Sequence, residues 1–165
     1  MAATMRWNEY NGASATETQG ITNLNFGSVD QPNLDYTLYT IRRGEASFDK
    51  WIKIDFYSGT FNKVSNFKFW RSDGGTGDGP ALPTGITIVG EAGSTADLTY
   101  TQPSQTALAL SAVPNSEATA LTVGPSAGLT TYGLTYYIHL QMQTDTTASP
   151  GDVGPIYFTF AWDEE

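Results

Sequence analysis

The chain holds 165 residues, with 8 basic and 17 acidic side chains, one histidine and no cysteine. One domain suits that length, and a domain of this size buries about 70% of its unfolded surface, enough for a core without disulfides or a structural metal. The absence of cysteine excludes disulfide scaffolds, thiolate metal sites and thiol nucleophiles, and a net charge of −9 argues against a nucleic-acid partner, which requires a basic face.

The charge is uneven along the chain. All eight basic residues (Arg6, Arg42, Arg43, Lys50, Lys53, Lys63, Lys68 and Arg71) lie in residues 1–71, together with seven acids; residues 72–165 carry ten acids and no Lys or Arg. Two readings follow: a Thr/Gly/Pro-rich second half kept soluble by scattered carboxylates, or two halves that face different partners. No apolar run approaches the ~18–20 residues that span a bilayer, and the start, MAATMRWN, has no apolar signal core. Synthesis in a cytoplasm without a membrane partner is the expectation.

In chain order, residues 1–19 are polar apart from Met5, Trp7 and Tyr10, and read as an N-terminal arm preceding a domain over 20–165. Weak strands are expected at 20–26 and 36–41. A strong one spans 48–57, with Ile52, Ile54 and Phe56 inward against Lys53, Asp55 and Tyr57; the next, 66–70, puts Phe67 and Phe69 on one face. The turn Ser58-Gly59-Thr60 predicts that these two form a central hairpin. Residues 72–83 (SDGGTGDGPALP) read as an exposed loop. Weak strands follow at 85–89, 97–101, 107–112 and 118–123. Residues 135–143 alternate Tyr136, Ile138, Leu140 and Met142 against Tyr137, His139, Gln141 and Gln143. The final strand sets Ile156, Phe158, Phe160 and Trp162 against Tyr157, Thr159 and Ala161. About ten short strands separated by Gly/Pro/Asn turns predict an all-β, single-domain antiparallel β-sandwich, jelly-roll-like.

Motifs of chemistry are weak. Gly124-Pro125-Ser126-Ala127-Gly128 matches G-x-S-x-G, but a nucleophile elbow needs a helix after the serine, and here a strand follows. His139, the single histidine, reads as an exposed residue on the polar face of its strand, because a general base needs an orienting partner and a metal needs several ligands. Asp73 and Asp78 are five apart with glycines where an EF-hand places ligands, so a loose Ca²⁺ site is the alternative to a turn with solvated carboxylates. Paired carboxylates of a glycosidase need only meet in space, and no acid stands out for such a pair. Among the aromatics, Trp7, Tyr10, Tyr132 and Tyr137 are the least committed to a core, which suits a subunit contact or stacking on sugar. The reading is of a non-enzymatic protein with no cofactor.

Five phrases, Trp7-Asn8-Glu9-Tyr10-Asn11-Gly12, Ile21-Thr22-Asn23-Leu24-Asn25-Phe26-Gly27-Ser28, Ser47-Phe48-Asp49-Lys50-Trp51-Ile52, Phe69-Trp70-Arg71-Ser72-Asp73-Gly74 and the 157–162 strand with its acidic end, resemble small structural proteins of tailed-bacteriophage virions. The resemblance spans most of the chain and carries no catalytic motif. It implies a virion component, a capsid decoration (cement) protein or a tail-associated variant, β-rich and often trimeric, made in the host cytoplasm and bound to the major capsid protein on the capsid surface. It transfers no functional residue. The candidate interface residues are Arg6, Trp7 and Tyr10 on the arm, Arg42 and Arg43, and Asp73 and Asp78 in the 72–83 loop, with the basic-containing half expected to face the capsid. The alternative is a carbohydrate-binding or host-recognition module of a phage tail or fibre, using exposed Trp and Tyr.

Overall fold

A computed structural model describes residues 2–151 and 153–165. Met1 of the expected arm and Asp152 of the acidic half lie outside the described residues. The fold is the expected all-β, two-layer antiparallel sandwich. Sheet A contains β1 (Thr4–Asn11), β2 (Thr16–Gln19), β3 (Lys50–Ser58), β5 (Ile86–Ala92), β7 (Gly133–Leu134) and β8 (Ile138–Thr144). Its order is β2-β1-β3-β8-β5, with β7 also on β3. Sheet B is β6-β4-β9, from β4 (Val64–Ser72), β6 (Leu121–Thr122) and β9 (Tyr157–Glu164). A single 3-10 turn, Glu117–Thr119, is the one helical element among the described residues. It is far too short to cross a membrane.

Period-2 alternation explains the core. Ile52, Ile54 and Phe56 of β3, Ile138 and Leu140 of β8, and Phe67 and Phe69 of β4 are fully or almost fully buried. They meet between the sheets with Phe160 of β9, and β-branched and aromatic side chains suit such a pleated, buried surface. Phe56 is the hub, ringed by Phe61, Phe67, Phe160 and Trp162 at centroid distances of 5.4–6.4 Å.

Four expectations are overturned. Residues 4–19 are a hairpin inside sheet A, with β1 paired to β3 from Met5↔Phe56 to Tyr10↔Trp51. The alternation was hidden because one inward position of β1 is Glu9, whose carboxylate meets Lys50 at 2.7 Å. β3 and β4 do not form a hairpin: both edges of β3 are taken within sheet A, and the chain crosses to sheet B after Gly59. Gly59 has φ +105°, and a Cβ there would collide with the Ala2 carbonyl.

The weak strands at 20–26, 36–41, 97–101 and 107–112 are ordered loops, and 118–123 shrinks to the 3-10 turn and β6. Side chains satisfy their backbone in place of a ladder. Asn33 Oδ1 accepts the Thr22 amide at 2.6 Å, and Asp35 Oδ1 accepts that of Thr37 at 2.9 Å. Residues 97–112 form a strap over the outer face of sheet A. There Gln141 Oε1 accepts the Leu108 amide at 2.8 Å, and Gln141 Nε2 and Gln143 Nε2 donate to the carbonyls of Thr106 and Leu108 at 3.0 and 2.8 Å. The side-chain amides of β8 thus stand in for a strand, and Gln141, expected on the polar face, is completely buried.

The fourth concerns charge. Sheet A draws β1–β3 from the first half and β5, β7 and β8 from the second, and sheet B draws β4 from the first and β6 and β9 from the second. The two halves interleave, so neither forms a face of its own.

Candidate functional site

The expected interface residues fall in three places. Arg6 lies on the outer face of β1, where Nε and Nη2 contact Asp55 Oδ2 at 2.8 and 2.7 Å and the guanidinium covers the Tyr57 ring at 4.7 Å. Trp7 points inward and packs on Phe69 at 6.0 Å. Tyr10 is buried, donates its hydroxyl to Glu17 Oε1 at 2.8 Å and stands edge-on to Tyr137 at 5.1 Å. These three are internal contacts, which corrects the reading of a free contact arm.

Asp73 and Asp78 do lie in an exposed loop. Asp73 Oδ1 accepts the amides of Gly75 and Gly77 at 2.9 and 3.2 Å, and Asp78 bridges back to Ser72. Asp73 therefore closes its own turn. Among the described residues no three His, Asp or Glu side chains are gathered to hold a metal.

Arg42 and Arg43 are exposed, adjacent, and outside ion-pair distance of any carboxylate of the described residues. They lie in the long β2–β3 connection, which also exposes Leu38 (71% accessible) and Tyr36. Arg43 and Tyr36 line a cleft of about 690 Å³ at one end of the sandwich, where β5 and β9 begin and β8 ends. Phe26, Ile41, Ile86, Met142, Ile156 and Phe158 make most of its wall apolar. Its volume falls in the ~300–1,000 Å³ range of ligand clefts. Asp145 sits at the same end, its carboxyl held below the usual range by the Thr147 hydroxyl and amide, with Arg43 contributing least. An apolar group with a negative or hydrogen-bond-accepting edge suits this cleft: the wall takes the apolar part and the guanidinium takes the edge.

Sequence reasoning missed two polar clusters. His139 is 5% exposed. Its Nε2 meets Asp49 Oδ2 at 2.7 Å, its Nδ1 lies 3.4 Å from Glu91 Oε1, and its ring stacks on Trp51 at 3.9 Å. Asp49 also receives the Trp51 indole N–H at 3.0 Å and the Ser104 amide at 2.6 Å. Burial alone would raise the Asp49 carboxyl; the His139 hydrogen bond and charge and the Ser104 amide outweigh it and hold it below the usual range. Asp49 and Glu91 occupy opposite nitrogens of the ring, so the three form a chain that ties the strap to sheet A. Ser126 of the G-x-S-x-G match is exposed in a loop beside β4 of the other sheet, with Gly124 packed on Phe67. Only the strap, invisible to alternation, turns the polar face of β8 into an interior.

The second cluster is Lys50 and Glu9, 1% and 0% exposed in their side chains. Lys50 Nζ also donates to the Gln31 carbonyl at 2.8 Å. Burial pushes the Glu9 carboxyl up, and the Lys50 charge and the Asn11 hydrogen bond recover only part of that shift. Glu9 Oε2 has no hydrogen-bond partner among the described residues.

Compared with family models, curated proteins and solved structures, the chain finds no match.

Proposed function

We propose that the chain is a virion structural protein, a capsid decoration protein that binds the lattice of the major capsid protein and stabilises it. One observation carries the reading on this molecule: the 36–43 loop exposes Tyr36, Leu38, Arg42 and Arg43, neither arginine ion-paired among the described residues, with Tyr36 and Arg43 on the wall of an apolar cleft, on a chain of net charge −9. Large apolar side chains held in water next to free guanidinium groups make a contact surface, because burial of the apolar part on a partner drives association and the charges fix its register. The resemblance of the short phrases to phage structural proteins supplies the partner. Adding purified protein to undecorated capsids tests it. Saturable binding with a gain in heat resistance, weakened by Arg42→Glu/Arg43→Glu, is the expected result; no binding and no gain in resistance overturns the proposal.

A second reading, a glycan-binding module for host recognition, rests on Tyr132. It is 59% exposed, with its hydroxyl fixed by the Gly59 carbonyl at 2.9 Å and its ring backed by Phe61 at 6.1 Å. A rigid exposed ring of this kind stacks on sugar faces. Glycan-array binding that is lost in Tyr132→Ala and kept in the Arg42/Arg43 variant would replace the capsid reading.

A further inference from the structure

We propose that the free edge of β9 pairs antiparallel with β9 of a second copy of this chain, about a two-fold axis at Phe160, joining two three-stranded sheets into one of six. β9 is the last strand of sheet B and, among the described residues, pairs with β4 alone. The direction of its backbone follows from β4. There the Phe67 carbonyl accepts from Val123 at 3.1 Å, and the Arg71 amide donates to Pro114 at 2.8 Å. Both partners lie on the β6 side. Backbone groups alternate along a strand, so Lys68, Trp70 and Ser72 aim theirs at β9, where they face Ala161, Thr159 and Tyr157. Phe158, Phe160 and Trp162 therefore direct their N–H and C=O groups away from the sheet, and no backbone bond to another described residue takes them up.

The other edges are managed. β2 has four residues and β6 two, and the edge of β5 is covered by 111–113 through Gly90 N–H to Ser111 and Val113 N–H to Ile88, at 3.0 and 2.8 Å. β9 runs eight residues with neither Lys nor Pro, the usual guards of an exposed edge. Its Phe158 and Trp162 are only half-buried.

The sequence of the strand identifies the occupant, because it reads alike in both directions about Phe160. Aromatic residues stand at 158, 160 and 162, and small ones at 159 and 161. A two-fold at Phe160 sets Phe158 against Trp162 of the second copy and Thr159 against Ala161, so each half-exposed aromatic is covered by another. It also sets Asp163 against Tyr157, which keeps the two Asp163 residues about 20 Å apart at ~3.4 Å per residue, beyond the Debye length of roughly 8–10 Å. A parallel pairing in register would place Asp163, Glu164 and Glu165 beside their own copies.

Tyr157 is 49% exposed and on the outer face, so it can be changed without opening the core. Sedimentation of the intact chain is expected to show a monomer–dimer equilibrium. Tyr157→Asp, which puts two Asp pairs into each dimer, is expected to weaken association about tenfold or more at low salt, whereas Tyr157→Lys holds or tightens it. Hydrogen exchange supplies the independent measure. The Phe158, Phe160 and Trp162 amides should gain protection with protein concentration in step with the dimer, while those of Thr159 and Ala161, bonded to β4, stay protected in every variant and show that β9 is intact. A monomer at all concentrations, a trimer, or a dimer whose Phe158, Phe160 and Trp162 amides exchange freely overturns the proposal.

Discussion

The buried pair Lys50–Glu9 offers the sharpest test of how this sandwich is held. At 2.7 Å, and with an effective dielectric of ~20, the Coulomb attraction is about 6 kcal/mol. Against it stands the removal of two charges from water, large enough that burial pushes the Glu9 carboxyl up despite the adjacent ammonium. Replacing Lys50 by Met leaves Glu9 in the interior with only the Asn11 amide at 2.9 Å. The expected loss is about 3–5 kcal/mol, a drop of roughly 10 °C in Tm for a chain of this size. The variant should also enlarge a pH dependence of definite sign, because the lowering effect of the Lys50 charge on the already raised Glu9 carboxyl is lost. A carboxyl whose folded pKa lies above its unfolded one binds the proton more tightly when folded, so stability is regained as pH falls and lost as pH rises through the interval between the two values. Glu9→Gln removes the other partner and leaves Lys50 bonded to the Gln31 carbonyl. Because each single change strands a charge and the double change strands none, Glu9→Gln/Lys50→Met should lie within about 1–2 kcal/mol of the parent. Urea unfolding of the four proteins gives the cycle. Single variants that lose less than ~1 kcal/mol, or a double variant as unstable as the sum of the singles, would refute the reasoning.

Three further outcomes follow from the packing. Phe56→Ala empties the centre of the ring of Phe61, Phe67, Phe160 and Trp162 and should cost about 3–5 kcal/mol in urea, whereas Tyr132→Ala at the surface should stay within roughly 0.5 kcal/mol. Asp49, held below its ordinary value, stabilises the fold above the unfolded pKa of ~3.9, and that contribution is lost as pH falls through its lower folded value; urea midpoints compared at about pH 5 and pH 3 should fall more for the parent than for Asp49→Asn. A Cβ at Gly124 would overlap the Phe67 ring, so Gly124→Ala should cost about 1–3 kcal/mol by thermal melt while Ser126→Ala two residues on changes nothing measurable, which separates packing from chemistry in the G-x-S-x-G match.

The long strands were legible because their alternation is pure. Ile52, Ile54 and Phe56, then Phe67 and Phe69, then Ile138 and Leu140 declare an inner face by themselves. β1 was not legible, since Glu9 occupies an inward position that only Lys50, forty-one residues away, makes tolerable. The failure at His139 and Gln141 has the same origin. Alternation assigns them to solvent, and it would be right for a sheet with one wet face, but the strap at 97–112 covers that face and turns both residues into its fastenings. Of the expected contact residues, Arg42 and Arg43 are exposed without an ion pair among the described residues, Arg43 on the wall of the cleft, while Arg6 and Tyr10 are consumed by Asp55 and Glu17, partners that no local pattern reveals.

The charge asymmetry of the sequence resolves into internal complementarity once the halves interleave. Lys53 pairs with Asp97 and Lys68 with Glu117, each joining a cation of the first half to an acid of the second. Arg6 and Lys50 are taken by Asp55 and Glu9, and Arg71 donates to the Pro80 carbonyl. Lys63 makes no ion pair among the described residues either, but it sits at the acidic end of β9, its backbone amide bonded to the Glu165 carbonyl at 3.2 Å. Arg42 and Arg43 are what remains of the basic complement at the opposite end of β9, the end that carries the cleft. A surplus of acid over much of the surface repels an acidic partner, so its approach is steered toward this end, most strongly at low salt. Salt dependence of capsid binding that disappears in the Arg42/Arg43 variant, with the fold intact, is the signature of that arrangement; a salt response unchanged by the variant would place the contact elsewhere.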